Sequence, residues 1–262
     1  MTKEERQSAI LDQLLKQGSV LVSALSDNLQ VSAVTIRKDL TDLERQGRLY
    51  RSHGKAILIN PFTANRSVNE KEKLFPEEKY NIGTAAQLVM PNDSIVIASG
   101  TTVTAFAQCL QHSPRFTAVT SSIKVSEALA ANSEIEVIQL GGRLRHSSLS
   151  VVGPDGEQTL AGCTFSKLFI GVDGIDLEYG ITTTDLREAH LNKVMMGVAQ
   201  QNIVLADSSK VGRRGFAEIC GMDEVDVIIT DGNIRPTDRT ALEEMGIEVI
   251  VVNGGNASVT ML

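Results

Sequence analysis

The sequence predicts an α/β protein of two domains, an N-terminal winged helix-turn-helix followed by a larger domain with a mainly parallel sheet. Three observations predict this architecture. The chain has 262 residues, which leaves up to about 200 residues for a second domain after a winged helix. The first 58 residues carry helical and strand patterns in the order of a winged helix. Further along, seven apolar runs of strand length recur, each followed by glycine or polar residues.

Residues 1–58 carry the pattern of a winged helix-turn-helix. Helical spacing of aliphatic residues predicts a first helix that ends near Gly18. A short strand over 19–21 and a scaffold helix over 22–29 follow. Ser32 is a plausible N-cap of the next helix, which should stop at Gly47. The residues expected to pack inward from this helix are Val34, Ile36, Leu40 and Leu43, whereas Thr35, Arg37, Lys38 and Asp42 should face out.

Residues 48–59 alternate well enough to predict a two-stranded ribbon that turns near 53–55. Between 45 and 55 there are four basic residues and no acid. Because a helix N-terminus enters the major groove while a ribbon reaches the flanking backbone, this pattern favours DNA binding over a merely solvated basic face. The candidate DNA-binding residues are Ser32, Thr35, Arg37, Lys38, Arg51, His53 and Lys55.

Charge is distributed unevenly along the chain. Residues 1–73 carry 12 Lys and Arg against 9 Asp and Glu, a net charge of +3, and residues 74–262 carry 13 against 23, or −10. This asymmetry indicates an N-terminal polyanion binder attached to an acidic body. Residues 59–74 are polar and are predicted to be a linker, so the second domain should cover 75–262.

The cysteines and histidines indicate a reducing compartment and no metal site. Three scattered cysteines lack the spacing of a zinc site or a redox pair, so we expect buried thiols and a cytoplasmic location. The four histidines are isolated from one another. No apolar stretch approaches the about 20 residues of a membrane span, so no membrane association is expected.

The seven apolar runs predict a parallel sheet covered by helices, because they are rich in Ile and Val and often apolar on both faces. In such sheets ligands bind outside the carboxyl ends of the strands. The residues that follow each run are therefore the candidates for a ligand site. The runs are 94–98, 116–120, 135–140, 167–170, 203–206, 225–230 and 247–252.

Hydroxyl and glycine residues after the first two runs suit an anion. Gly100-Thr101-Thr102 opens a predicted helix and can aim backbone N–H groups and hydroxyls at one point, although a simple helix cap has the same sequence. Ser121 after the second run could likewise bind an anion or cap a helix. Gly141-Gly142-Arg143 after the third run places a cation toward the same edge, or else Arg143 and Arg145 lie together in a solvated loop.

Charged residues after later runs suit a sugar and its phosphate. Asp173, on a glycine-flanked loop, can accept hydrogen bonds from hydroxyl groups, with a plain turn as the alternative. Glu188 lies in a predicted helix over 185–201, and Lys210 can meet a phosphate or carboxylate. The candidate effector-binding residues are Ser99, Gly100, Thr101, Thr102, Ser121, Asp173, Gly174, Glu188 and Lys210.

These motifs together resemble the DeoR-type family of bacterial sugar-catabolism regulators over nearly the whole chain. The N-terminal match is Val34-Thr35-Ile36-Arg37-Lys38-Asp39-Leu40, with Leu43, Gly47, Arg51, His53, Gly54 and Ala56, and Lys55 stands where the family usually carries a second glycine. The C-terminal match comprises Gly100-Thr101-Thr102, Gly141-Gly142, Gly171-Val172-Asp173-Gly174-Ile175, Gly180 with Thr182-Thr183, Glu188-Ala189 and Ala206-Asp207-Ser208-Ser209-Lys210.

The resemblance implies a sensor domain similar in fold to ribose-5-phosphate isomerase, which binds a phosphorylated sugar or related metabolite that changes DNA affinity. It also raises the alternative of an aldose-ketose isomerase with Glu188 or Asp173 as general base. The isomerases carry a lysine and a glycine run shortly after the Asp-Gly loop, whereas this chain has Glu178-Tyr179-Gly180-Ile181-Thr182. Loss of such electrostatic support typically costs about a hundredfold in rate.

We therefore expect a transcriptional regulator and not an enzyme. The resemblance implies a repressor of a carbohydrate-utilisation operon, with double-stranded operator DNA and a phosphorylated sugar as partners and no cofactor. A single winged helix covers too few base pairs for genomic selectivity, so a homodimer or homotetramer is expected.

Overall fold

The computed structural model describes residues 1–17, 19–45, 48–52, 54–58 and 67–253. The chain divides into two compact units, Met1–Ala64 and Asn65–Leu262. Predictions attached to Gly18, Gly47 and His53 lie outside the described residues. Within the described ranges, no helix has the length and apolar character needed to cross a membrane.

The first unit is a winged helix-turn-helix, as predicted. Its strands form an antiparallel sheet in the order β1-β3-β2, and Ser52 pairs with Lys55 across the wing turn. Gly54 in that turn has φ of 76°, a left-handed conformation that glycine adopts without strain. Its elements are α1 (Lys3–Gln17), β1 (Ser19–Leu21), α2 (Val22–Leu29), α3 (Ala33–Arg45), β2 (Leu49–Ser52) and β3 (Lys55–Leu58).

The buried face of α3 forms the centre of the first unit. Ile36, Leu40 and Leu43 are almost fully buried in one apolar cluster with side chains of α1 and α2. The prediction that Val34 packs inward is wrong, since 61% of Val34 is exposed. At about 100° per residue, Val34 lies about 200° around the helix from Ile36 and so faces outward. Asp39 takes a buried position instead.

The second unit contains seven helices and twelve strands among the described residues. The helices are α4 (Val68–Glu72), α5 (Pro76–Gly83), α6 (Thr101–Cys109), α7 (Ile123–Leu129), α8 (Pro154–Leu160), α9 (Leu186–Gly197) and α10 (Pro236–Glu244). The strands are β4 (Ser94–Ile97), β5 (Thr117–Thr120), β6 (Glu136–Gln139), β7 (Arg143–Arg145), β8 (Ser150–Val152), β9 (Lys167–Gly171), β10 (Gly174–Asp176), β11 (Gly180–Thr183), β12 (Asn202–Leu205), β13 (Ala217–Cys220), β14 (Val227–Asp231) and β15 (Glu248–Val252).

Seven of these strands form the parallel sheet that the apolar runs predicted. The order is β15-β14-β12-β9-β4-β5-β6, and every neighbouring pair is parallel. The chain builds outward from β4 to β6, then returns to place β9 on the other side of β4. The strand order therefore reverses between β4 and β9. In open α/β sheets the loops after two such strands separate and leave a crevice, where ligands bind.

Helices cover both faces of this sheet. Ile95 and Ile97 of β4 join an apolar cluster with side chains of α5, α6 and α7. Val96 faces the opposite side and joins a cluster with side chains of α8, α9 and α10. Because side chains alternate along a strand, one apolar strand fills both layers of core. The three-layer α/β arrangement fixes the carboxyl edge of the sheet rigidly.

The segment 67–74, which the sequence assigns to the linker, forms α4 in the second unit. Ser67 and Glu70 make a reciprocal capping box at its N-terminus. Such a box satisfies two backbone N–H groups and stabilises a helix of only five residues. The predicted helix over 185–201 is shorter in the structure, where Gly197 is the last residue of α9.

Candidate functional site

The exposed face of α3 is the candidate DNA interface of the first unit. Ser32 caps the helix, since its Oγ accepts a hydrogen bond from the backbone N–H of Thr35 at 3.2 Å and lies 2.9 Å from the Thr35 Oγ1. Arg37 and Lys38 are exposed one turn further on. This places two hydroxyls and two cations on the N-terminal half of one helix, which is the part of a recognition helix that reaches base edges.

Val34 belongs to the same exposed face. It lies three and four residues before Arg37 and Lys38, the spacing of neighbours on a helix surface. A branched aliphatic side chain among polar ones suits contact with the methyl group of thymine. Sequence reasoning missed this residue because it counted Val34 as part of the core, although the spacing from Ile36 already opposed that assignment.

The wing presents its predicted cations unequally. Lys55 is exposed at the start of β3. Arg51 is engaged within the protein, because its Nε donates to the Glu44 carboxylate at 2.8 Å and its backbone N–H donates to the same group at 3.0 Å. Lys55 is therefore the wing cation whose charge is available to a phosphate, whereas the charge of Arg51 is largely balanced by Glu44.

A buried ion pair fixes α3 against α1. The Arg6 guanidinium contacts both carboxylate oxygens of Asp39, through Nε to Oδ2 and through a second nitrogen to Oδ1 at 3.0 Å. A bidentate pair restricts the rotation of both side chains. Lys3 adds a more exposed pair with Asp42 at 2.7 Å. Together these pairs set the angle at which α3 presents its outer face.

The candidate effector site lies where the strand order reverses. Gly100 follows β4 with φ of 134°, and a Cβ built on Gly171 would lie 3.3 Å from the carbonyl oxygen of Ser99, so the two diverging loops begin in close contact. The N-cap residue of α6 is Gly100, which makes no side-chain cap, and the helix starts at Thr101. The backbone N–H groups of the first turn and the helix dipole are therefore candidates to bind an anion.

Asp173 lies at the end of β9 with three described donors around its carboxylate. The Lys71 ammonium donates to Oδ1 at 2.6 Å, and the hydroxyls of Thr183 and Thr184 donate to Oδ2 at 3.3 and 3.2 Å. Burial alone would raise the pKa of Asp173, but the charges of Lys71 and Lys210 and these hydrogen bonds outweigh it, so the pKa lies well below its usual range. Asp173 is thus an ionised acceptor.

Glu188, in the first turn of α9, reaches the same crevice. Its Oε1 accepts from the Ser99 hydroxyl at 2.8 Å, and its Oε2 is ion-paired with Arg145 and lies 3.4 Å from the Thr183 hydroxyl. Arg145 is 6% exposed and also lies 3.3 Å from Asp185. A carboxylate with a guanidinium on one oxygen and a hydroxyl on the other is a fixed hydrogen-bond acceptor.

A cationic cluster lies beside Asp173 at the carboxyl ends of β9 and β12. Among the described residues, four cations face two carboxylates within electrostatic reach, and a third carboxylate, that of Glu72, also acts on Lys79. The cations are Lys71, Lys79, Lys210 and Arg213, and the carboxylates are Asp173 and Asp207. An excess of positive charge in a partly buried place is relieved by a bound anion, and a phosphate monoester supplies up to two negative charges.

Burial governs the acid-base behaviour of these cations. It lowers the pKa of Lys210 and of Arg213, against the opposing pull of Asp207 and Asp173. It lowers the pKa of Lys79 to about 8. Asp207 is 1% exposed, and its Oδ2 is a buried atom without a hydrogen-bond partner among the described residues.

Other predicted site residues surround this centre. Ser121 follows β5, the strand next to β4, and is 2% exposed. A Cβ on Gly174 would lie 2.4 Å from the Arg213 carbonyl oxygen, so glycine is required for that close approach. Arg143 does not join the site. It is exposed and instead lines an open cleft of about 460 Å³ beside α8 and α9, in which none of the candidate effector residues takes part.

Sequence reasoning missed several residues of this site. Arg145 was paired with Arg143 as a solvated loop, and only its burial distinguishes the two. Thr183 and Thr184 belong to a threonine run that the sequence displays, but their direction toward Asp173 depends on the pairing of β11. The remaining two, Lys71 and Arg213, carry no local sequence signal. Within the described ranges, no group of three or more His, Cys, Asp or Glu could hold a metal ion.

A winged helix followed in the chain by an α/β unit with a candidate ligand site is the organisation of a ligand-responsive DNA-binding regulator. Residues 6–62 match the DeoR-like helix-turn-helix domain, and residues 75–232 match the DeoR C-terminal sensor domain. The chain belongs to the DeoR family of transcriptional regulators.

Relatives along nearly the whole chain carry related names. A putative aga operon transcriptional repressor of Escherichia coli O157:H7 is 38% identical over 251 residues, which is 95% of this chain and 93% of the relative. The HTH-type transcriptional repressor GlcR of Bacillus subtilis is 34% identical, covering 96% and 97% of the two chains. A lactose phosphotransferase system repressor of Staphylococcus epidermidis is 31% identical, covering 89% and 94%.

Among solved structures, ribose 5 phosphate isomerase A from Neisseria gonorrhoeae is similar with a TM-score of 0.38 and 20% identity. The similarity covers 52% of this chain and 53% of that chain.

Proposed function

We propose that this protein is a repressor of a carbohydrate-utilisation operon, active in the cytoplasm, whose affinity for operator DNA changes when a phosphorylated sugar or related metabolite binds the second unit. What carries the proposal is the meeting of an uncapped helix N-terminus, a surplus of cations and two fixed carboxylates at the reversal point of one sheet. A sugar-phosphate site needs hydrogen-bond donors and cations that bind the phosphate, beside carboxylates that accept hydrogen bonds from the sugar hydroxyls.

The roles follow from the chemistry of each group. The phosphate binds at Gly100, Thr101 and Thr102, with Lys210 as a point charge, and Ser99 and Ser121 extend the hydroxyl lining. Asp173, beside Gly174, and Glu188 accept hydrogen bonds from the sugar hydroxyls. In the first unit, Ser32, Thr35, Arg37 and Lys38 contact the major groove, while Arg51, His53 and Lys55 contact flanking phosphates.

The alternative of an aldose-ketose isomerase is disfavoured by the state of Glu188. Both of its oxygens are engaged, by Arg145 and by Ser99, so neither is poised to take a proton from a substrate carbon. Regulation needs binding alone. The relatives that share the chain's length are transcriptional regulators, which agrees with binding without turnover.

The test combines DNA binding, effector response and turnover on one preparation. DNA from upstream of the protein's own gene is titrated in a gel-shift assay, with and without glucose 6-phosphate, ribose 5-phosphate and other sugar phosphates from a thermal-shift screen. We expect one of them to shift the operator titration of the parent protein. Thr101→Val and Lys210→Ala should lose that shift while binding operator normally, because neither residue lies in the DNA-binding unit.

Exposed residues of the second unit supply the matched controls. Thr159→Val makes the same chemical change on α8, and Lys193→Ala removes a lysine whose side chain is 62% exposed. Both should respond as the parent does. An undiminished effector shift in both Thr101→Val and Lys210→Ala would place the phosphate elsewhere. If the parent protein interconverts an aldose phosphate and a ketose phosphate, the proposal that it binds its effector without catalysis is wrong.

The proposed assembly is a homodimer or homotetramer. One α3 and one wing read a single half-site, whereas selectivity among competing genomic sites requires at least two. Light scattering of the protein with and without operator DNA measures this directly. A monomer in both conditions would refute the assembly.

A further inference from the structure

The segment 67–74, which we call the strap, is tied to the candidate effector site from several directions. The Val68 backbone N–H donates to the Ser147 carbonyl at 2.6 Å. Lys124 donates to the Asn69 side chain at 3.2 Å and is ion-paired with Glu72. These contacts hold α4 beside α6, whose first residues form the proposed phosphate site.

A buried lysine secures the other end of the strap. The Lys79 ammonium donates to the carbonyl oxygens of Lys71 and Leu74, both at 2.5 Å. Lys79 itself is 5% exposed and belongs to α5. The backbone around Lys71 is thus fixed by the body of the second unit, and its side chain is aimed by that backbone.

Lys71 reaches from the strap into the candidate effector site, where its ammonium group occupies the position beside Asp173 that a ligand hydroxyl would take. Its ammonium lies 2.6 Å from Asp173 Oδ1, and the pair is partly buried, with side-chain exposures of 27% and 15%. Since Thr183 and Thr184 already donate to Oδ2, Lys71 fills the other oxygen. A sugar hydroxyl that donates to Asp173 must therefore compete with an ammonium group.

The strap also follows the wing closely along the chain. Only residues 59–66 separate it from β3 along the chain. Any change in how Lys71 is held therefore changes how the connection to the DNA-binding unit is anchored. This gives Lys71 a position that touches both proposed events, effector binding and DNA release.

We propose that Lys71 occupies the effector site of the ligand-free protein as an internal competitor, and that a sugar phosphate displaces it from Asp173 and thereby releases the strap. The inference rests on the proposed function of the second unit. It names a positioning residue for the response, and it implies that the effector carries a hydroxyl group close enough to its phosphate to reach Asp173. Lys71 binds no effector atom in this scheme, so removing it should favour the effector.

The first measurement needs no effector. Hydrogen exchange of backbone amides in the strap is compared among the full-length parent, Lys71→Met and Lys73→Met, the last being an exposed lysine two positions away. Loss of a charge-assisted hydrogen bond should speed strap exchange by about tenfold or more in Lys71→Met. Lys73→Met should match the parent, and Lys71→Arg should restore slow exchange. Equal exchange in Lys71→Met and the parent would overturn the proposal.

A second variant distinguishes local opening of the strap from general misfolding. Asp173→Asn removes the partner of Lys71 while keeping its shape, and its strap should exchange as fast as that of Lys71→Met. Amides of the parallel strands should stay protected in both variants. Fast exchange throughout the sheet would mean that the pair is merely structural and would count against a strap that opens by itself.

The second measurement tests the proposed competition by the direction in which removing Lys71 changes the affinity for a sugar phosphate. Calorimetric titration of parent and Lys71→Met with ribose 5-phosphate and with glucose 6-phosphate should give tighter binding in the variant, by about tenfold for whichever sugar binds. Weaker binding in Lys71→Met would show that Lys71 is itself a phosphate ligand and would refute the proposal. If no sugar phosphate from the wider screen binds the parent, the proposed function fails, and the exchange experiment still decides whether Lys71 holds the strap.

Discussion

Lys79 shows how a single buried ammonium sets a pH response. Burial lowers its pKa from 10.5 to about 8, with Asp207 acting in the opposite direction and Lys210 and Lys71 adding to the decrease. The unfolded chain therefore keeps this proton between pH 8 and 10.5, where the folded chain has lost it. Stability rises with pH wherever the unfolded state binds more protons, so this group stabilises the fold increasingly across that window.

The expected gain from Lys79 is about 3 kcal/mol by pH 10.5, since each unit of pKa corresponds to about 1.4 kcal/mol. Urea unfolding of the parent and of Lys79→Met, followed at intervals from pH 7 to 10.5, measures it. The difference in unfolding free energy between the two should move in favour of the parent as pH rises. Two parallel pH profiles would show that Lys79 is not strained by burial in its charged form.

Arg143 and Arg145 provide a contrast between two chemically identical residues on one strand. Arg145 is buried against Glu188 and Asp185, whereas Arg143 is exposed. Arg145→Met leaves a partly buried carboxylate without its cation and should destabilise the second unit by about 3 kcal/mol or more. Arg143→Met should change stability by less than about 0.5 kcal/mol. Thermal and urea unfolding of the two variants side by side measure this contrast, and equal effects would contradict it.

At the scale of elements, the wing and α3 divide the work of DNA recognition. Lys55 is an exposed cation on the wing, so we expect it to add affinity to every DNA sequence alike. Lys55→Ala should lower the salt slope of log K by about one and weaken specific and nonspecific DNA equally. Arg37→Ala, on α3, should weaken the operator more than other DNA. Operator titrations at several salt concentrations measure both effects.

The control for the wing is Lys193→Ala, which removes an equal charge from α9 in the second unit. Its salt slope should equal that of the parent. The assignment of the wing fails if Lys55→Ala has the parent's slope as well. Arg51→Ala is expected to change the slope less than Lys55→Ala, because Glu44 already balances the Arg51 charge.

The elements that sequence could predict are those whose stability is local or patterned. Most of the seven parallel strands are apolar on both faces, and that pattern does not depend on where the neighbours lie. The sequence predicts a linker for the strap because α4 is five residues long and charged. Its order comes from Lys79 nearby and from Ser147 and Lys124, which lie far away in sequence. Helices of this length are not stable alone, so the local sequence pattern does not predict them.

The candidate site follows the same division. Its backbone parts, the glycine and threonine loop at 100–102 and the loop at 171–174, are visible as strand-to-loop transitions. Its charged partners are not, because Arg145 and Lys71 reach their carboxylates only through tertiary packing. The exposure of Val34 has the opposite origin: an aliphatic residue was assigned to the core by type, although its angular position on α3 is outward.

At the scale of the whole molecule, regulation requires that effector binding to the second unit and operator binding to the first unit are energetically coupled. If effector binding lowers operator affinity by some factor, operator binding must lower effector affinity by the same factor, since both paths around the cycle end in the same complex. Couplings of this kind amount to about 1–3 kcal/mol, or about 5- to 150-fold in affinity. Along the chain, residues 59–66 connect the wing to the strap, and we expect the coupling to involve the strap.

The reciprocal factor is measurable with four titrations on the full-length protein. Operator affinity is determined with and without a saturating concentration of the sugar phosphate found by screening, and the affinity for that sugar phosphate is determined with and without saturating operator. The two ratios should agree in the parent, and both should fall toward one in Lys71→Met, where the strap is released before any effector arrives. Lys73→Met should keep the parent's ratios. Ratios equal to one in the parent itself would mean that the second unit does not control the first. Full coupling in Lys71→Met would mean that the signal bypasses the strap, because the variant lacks the contact whose loss was to carry the signal.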